Sequence, residues 1–107
     1  MPVYNKLVRD RIPEIIQHSG KNCTTEILDD KKYITELKKK LLEEMDEYQN
    51  APSDEEALEE LADLLELMHA LAKIHGASID EVEKIRASKA EKRGGFDEKI
   101  FLIEVED

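Results

Sequence analysis

Between Lys40 and Lys73 the sequence contains no lysine or arginine, yet two helix-forming segments there place carboxylates where a bundle buries leucines. At about 100° per residue, the segment 34–48 sets Ile34, Leu37, Leu41, Met45 and Tyr48 on one arc. Glu44 falls inside that arc, and Glu47 lies one turn on. The next segment repeats the pattern: Leu61, Leu64, Leu67, Met68, Leu71 and Ile74 form the apolar face, Glu60 lies among them and Asp63 flanks it. Two helices thus aim an acidic pair, at spacing i and i+3, toward one interior. An unpaired buried carboxylate costs several kcal/mol, so the missing positive charge is most simply a metal ion. Oxygen donors without His or Cys select Mg²⁺, or Mn²⁺, over zinc. Mg²⁺ commonly arrives with phosphates, which points to a nucleotide as substrate.

The rest of the composition narrows the class. At 107 residues the chain reads as one domain over 1–107, without material for a second core. Its 39% charged residues and lack of Trp fit a charged helical protein better than a sandwich or barrel. A formal net charge of −10 opposes binding to a nucleic acid polymer, since phosphates would be repelled over most of the surface. The single Cys23 excludes an intrachain disulfide and fits a reducing compartment. No signal-peptide core and no membrane-length apolar run is visible, so the expectation is a cytoplasmic protein without a membrane partner.

Taken in order, 1–9 reads as coil. Asp10 offers an N-cap for a short helix over 11–18, with Pro13 in its first turn, Gly20 beyond its end and Ile12, Ile15 and Ile16 to dock it. Cys23 to Leu28 is rich in β-formers and reads as a brief strand. Asp29 or Asp30 caps a long helix running to about Gln49, before Asn50-Ala51-Pro52. Ser53-Asp54-Glu55-Glu56 has the form of a capping box for a helix reaching His75, with Gly76 as its stop. Ser78-Ile79-Asp80-Glu81 is a second box, opening a helix to Arg93 ahead of Gly94-Gly95. The run Ile100, Phe101, Leu102, Ile103, Val105 can pair with 23–28. The expected fold is therefore all-α: an antiparallel helical bundle with a minor β pairing. Three long helices do not enclose a four-carboxylate site, so completion by homo-oligomerisation is expected, with a dimer as the default.

Glu43-Glu44-Met45-Asp46-Glu47, then twelve residues, then Glu60-Leu61-Ala62-Asp63 resembles the E-E-x-x-E … E-x-x-D signature of the MazG-like all-α nucleoside triphosphate pyrophosphohydrolases. That superfamily includes dimeric dUTPases and phosphoribosyl-ATP pyrophosphohydrolases. The opening Lys6-Leu7-Val8-Arg9-Asp10-Arg11-Ile12-Pro13 and the closing Lys92-Arg93-Gly94-Gly95-Phe96 are similar to a house-cleaning branch of it, so the resemblance covers nearly the whole chain. It implies that Glu44, Glu47, Glu60 and Asp63 bind Mg²⁺, and that Glu43 is an auxiliary acid orienting or activating water. The implied reaction is attack of water on a nucleoside triphosphate, releasing a monophosphate and pyrophosphate. The alternatives are a phosphoribosyl-ATP pyrophosphohydrolase, which the opening block disfavours, and a non-catalytic helical interaction module with a structural metal.

The last helical segment points toward phosphate on its own account. Its stripe Ile79, Val82, Ile85 continues on the same face as Lys89 and Arg93, with Arg86 alongside. Basic residues near a helix C-terminus also answer the macrodipole, but five between 84 and 93 in so acidic a chain favour phosphate binding, Arg93 being the better bidentate donor. Lys6 and Arg9 are further substrate-binding candidates, with weak surface ion pairing as their alternative role. Phe96, after the two glycines, is placed to move onto a bound nucleotide. Glu66-x-x-His69 suggests a di-iron site only superficially, because that site needs a second copy of the motif. His18 and His75 read as structural, Tyr33 and Tyr48 as core.

Overall fold

The computed structural model describes residues 2–107 and is all-helical among them. Four helices follow in order: α1 (Ile12–His18), α2 (Asp30–Gln49), α3 (Asp54–Ile74) and α4 (Ile79–Arg93). The caps are largely those the sequence offers. The Asp29 carboxylate accepts from the Lys32 N–H at 2.9 Å, Ser53 Oγ from the Glu56 N–H at 3.2 Å and Ser78 Oγ from the Glu81 N–H at 3.4 Å. Each satisfies a donor that the first helical turn leaves unpaired. Gly76 and Gly94 take φ of 73° and 82°, the left-handed region in which a side chain is strained.

The core lies between α2 and α3. The link 50–53 is too short for any arrangement but an antiparallel hairpin, and these two helices make the most extensive contact in the chain. Leu37 from α2 and Leu64 and Leu67 from α3 are the buried leucines of this seam, and Ala72 of α3 is buried as well. Glu44 stands two turns beyond Leu37 on the same stripe and is itself buried, and Glu60 stands one turn before Leu64. The seam therefore runs from leucine into glutamate as it nears the hairpin link.

Several expectations about packing are corrected. The cap of α1 is Arg11, with no side-chain hydrogen bond, rather than Asp10. Ile15 is exposed and α1 packs on no other helix among the described residues, because seven residues supply too little apolar surface to compete with water. Met45, Tyr48, Leu61 and Met68, read as core, are each more than two-fifths exposed: they lie on the flanks of the seam, and a two-helix hairpin covers only one narrow stripe per helix. Helix α4 contacts α3 alone, leaving Val82 and Ile85 largely in water. Segments 23–28 and 100–105 form no strand, and neither pairs with the other within the chain. No described helix is long and apolar enough to cross a membrane.

Candidate metal centre

Glu44, Glu47 and Glu60 each bring one carboxylate oxygen to a common point, all lying within 4.8 Å of one another. Residues i and i+3 on α2 share a face, and the antiparallel hairpin sets Glu60 of α3 across from that face. Glu44 is 8% exposed, and Oε2 of Glu44 and Oε2 of Glu60 are buried without a hydrogen-bond partner. Burial pushes the Glu44 carboxyl up to about 7, aided by the nearby acids Glu60, Glu47 and Asp63. Carboxylates that converge in this way require either a proton or a cation between them. The donor set is entirely carboxylate oxygen, with two donors left unpaired in the interior, and it fits a hard divalent ion.

Asp63, the fourth expected ligand, lies outside this trio. Arg9 Nη2 donates to its Oδ1 at 2.6 Å, drawing it toward the segment that precedes α1. Glu43 is also engaged: Lys6 Nζ lies 3.0 Å from its Oε1. The hydrogen bond from Lys6 holds the Glu43 carboxyl below its ordinary value, and the same contact raises the Lys6 ammonium. Lys40 approaches Glu43 at 3.8 Å and Glu44 at 3.9 Å. The acidic seam thus has cations at its rim that the stretch from Lys40 to Lys73 does not supply. The i, i+4 spacing of Lys40 to Glu44 is a sequence signal for the last of these; nothing local signals the other two.

Two shallow grooves flank the cluster. One, of about 420 Å³, reaches Glu47 and Glu60 and is otherwise lined by Asn50, Ala51, Pro52, Glu56 and Glu59, with no cation. The other, of about 500 Å³, brings Lys6, Lys39 and Lys40 together with Tyr4 beside Glu43. The remaining candidates are not delivered to the cluster within one chain. Lys89 and Arg93 are exposed and form no ion pair among the described residues, Arg86 is held by Glu83 in a bidentate pair at 2.6–3.0 Å, and Phe96 is 98% exposed.

No family model, curated protein or solved structure matches the chain.

Proposed function

We propose that this protein is a divalent-metal-dependent nucleoside triphosphate pyrophosphohydrolase of the MazG-like kind, acting in the clearance of non-canonical nucleotides. The observation that carries the reading is the pair of unpartnered, buried carboxylate oxygens of Glu44 and Glu60 in a seam otherwise built of leucine. Glu44, Glu47 and Glu60, joined by Asp63 on release from Arg9, would hold Mg²⁺ or Mn²⁺. When bound, such an ion neutralises phosphate charge and lowers the pKa of coordinated water.

The other roles fall to the chain's own residues. Glu43 sits at the rim of the cluster, ionised and held by Lys6. It would orient a water molecule, and would gain basicity to accept that water's proton once Lys6 turns to a phosphate. Lys6 and Arg9 are cations beside the cluster, free to exchange their carboxylate partners for phosphate oxygens. Lys89 and Arg93 would meet charge developing on the leaving pyrophosphate, and Phe96 would cover the base.

Exposed apolar stripes support this reading as well. Leu58, Leu61, Leu65 and Met68 form a continuous exposed stripe on α3, and Leu42 and Met45 form another on α2. The α2–α3 hairpin is half of a four-helix bundle, and a homodimer would complete it. In this reading α4 reaches phosphate only in the assembled protein.

The test is incubation with nucleoside triphosphates and Mg²⁺, with the products resolved by chromatography. The expected products are a monophosphate and pyrophosphate. A diphosphate with orthophosphate would mean attack at the γ phosphorus and would end the assignment.

A further inference from the structure

This chain leaves more of itself in water than its mass accounts for. It exposes 10165 Å² at 12.3 kDa, where a compact monomer of that mass exposes about 6,100 Å². Its radius of gyration is 18.4 Å, against about 13 Å for a compact domain of this length. Part of the excess lies in two segments outside the helices. Ile100, Phe101, Leu102 and Ile103 are 73–89% exposed, and Ile27 is 99% exposed. Apart from a local turn in which the Lys99 N–H donates to the Phe96 carbonyl, no backbone group of 22–28 or 96–107 bonds to another part of the described chain.

An extended, β-branched, apolar segment with free backbone donors and acceptors is a strand without a neighbour. The chain supplies two such strands, and their charges select one way of joining them. In the antiparallel register that runs 100–103 against 22–25, Lys99 stands across from Glu26 and Glu104 across from Lys21 just beyond the ladder, so both ends carry opposite charges. Lys99 sits in a turn at φ 60° and the Lys21 N–H donates to the Ile16 carbonyl, so neither backbone joins the ladder. The same register places Leu102 opposite Cys23 and Ile100 opposite Thr25. The excess area per chain, about 4,000 Å², is ample for an obligate homodimer, which buries about 2,000–5,000 Å² in total. A net charge of −10 disfavours the other apolar acceptor, an anionic membrane surface.

We propose that residues 100–103 of one copy pair as an antiparallel strand with residues 22–25 of a second copy, reciprocally, in the register that opposes Leu102 to Cys23 and Ile100 to Thr25, with the side chains of Lys99 and Glu104 facing Glu26 and Lys21 at its two ends. The exchange creates a two-stranded ribbon on each side of the dimer and takes the apolar run 100–103 out of water. It rests on the two extended segments and not on the carboxylate cluster, so it stands or falls separately from the hydrolase reading.

The register makes the test specific, because Cys23 is the sole cysteine. Directly opposed residues in an antiparallel pair lie about 4.5–5.5 Å apart at Cα, within disulfide reach. Full-length Leu102→Cys, oxidised with diamide, is expected to give a covalent dimer in which peptide mapping links position 102 to Cys23. Ile103→Cys, one residue out of register, is expected to cross-link at least fivefold less. A 102-to-23 link found inside a monomer would show the segment folding back on its own chain and would overturn the proposal, as would no link at all or equal linking at both positions. Light scattering of the double variant Phe101→Asp, Ile103→Asp, with its helicity checked by circular dichroism, is expected to show dimer affinity reduced at least tenfold. Unchanged affinity would overturn the proposal. So would cosedimentation of the wild type with phosphatidylserine–phosphatidylcholine vesicles that the double variant loses, because it would assign the apolar run to lipid.

Discussion

Arg9 and Asp63, fifty-four residues apart in sequence, meet in a 2.6 Å hydrogen bond at the edge of the acidic seam. The contact pins the segment before α1 to α3 and occupies a carboxylate that stands one turn from Glu60. Both side chains are well exposed, at 55% and 39%, so its effect on stability is about 0.2–1 kcal/mol. Its larger consequence is electrostatic. Arg9→Ala releases Asp63 and removes a competing positive charge, so Mn²⁺ affinity measured by calorimetry is expected to rise by a factor of about 2–10, with less than about 1 kcal/mol lost in urea unfolding. Weaker Mn²⁺ binding in the variant would mean that Arg9 positions Asp63 for the ion instead of withholding it.

The raised Glu44 carboxyl makes stability depend on pH in a definite direction. Its ordinary value is 4.5 and its folded value about 7, so between these the folded state binds more protons than the unfolded state. Without metal, this group's contribution is fully present below about pH 4.5, is lost as pH rises through 4.5 to 7, and changes no further above that; the loss is on the order of a few kcal/mol. Glu60→Gln removes one of the converging charges and offers an N–H to Glu44. In chelator at pH 8, and at equal protein concentration, the variant is expected to be more stable than wild type by about 1–3 kcal/mol, with the gap shrinking at pH 5. Excess Mg²⁺ should restore the wild type and not the variant. A variant less stable than wild type in chelator at pH 8 would make Glu60 a satisfied structural residue.

Lys89 and Arg93 stand on a helix that touches only α3, so the phosphate-binding role proposed for them would be exercised in the proposed dimer. Arg93→Ala is expected to lower kcat/KM for the best nucleotide by about 1.5–3 kcal/mol, with Lys89→Ala smaller and far-ultraviolet circular dichroism unchanged. Wild-type kinetics in both variants and in the double variant would leave these residues only the macrodipole role.

The three long helices are legible in the sequence because their ends are set by local chemistry: Asp29, Ser53 and Ser78 cap them, and Gly76 and Gly94 stop the last two. The carboxylate trio is legible because periodicity alone places Glu44 and Glu60 in line with Leu37 and Leu64. What the sequence hides is tertiary. That Lys6 and Arg9 come back to Glu43 and Asp63 depends on the course of a coil segment without periodicity, and an absence of cations between Lys40 and Lys73 says nothing of cations arriving from elsewhere. Apolar residues such as Leu61, Met68 and Ile85 are patterned for burial that one chain does not provide. Periodicity reports that a face is patterned for burial, but not what covers it. Segments 23–28 and 100–105 carry β propensity in the sequence, yet no strand forms in them, because propensity names a conformation and not a partner.

The central claim is that Glu44 and Glu60 form a metal site, and Mn²⁺ binding followed by electron paramagnetic resonance tests it most directly. Titrating Mn²⁺ into the metal-free protein at pH 8 should suppress the free-ion signal until the sites are filled, whereas Glu44→Gln and Glu60→Gln should each leave that signal close to its value in buffer. A wild-type protein that leaves free Mn²⁺ undiminished, or variants that bind it as tightly as wild type, would contradict the account.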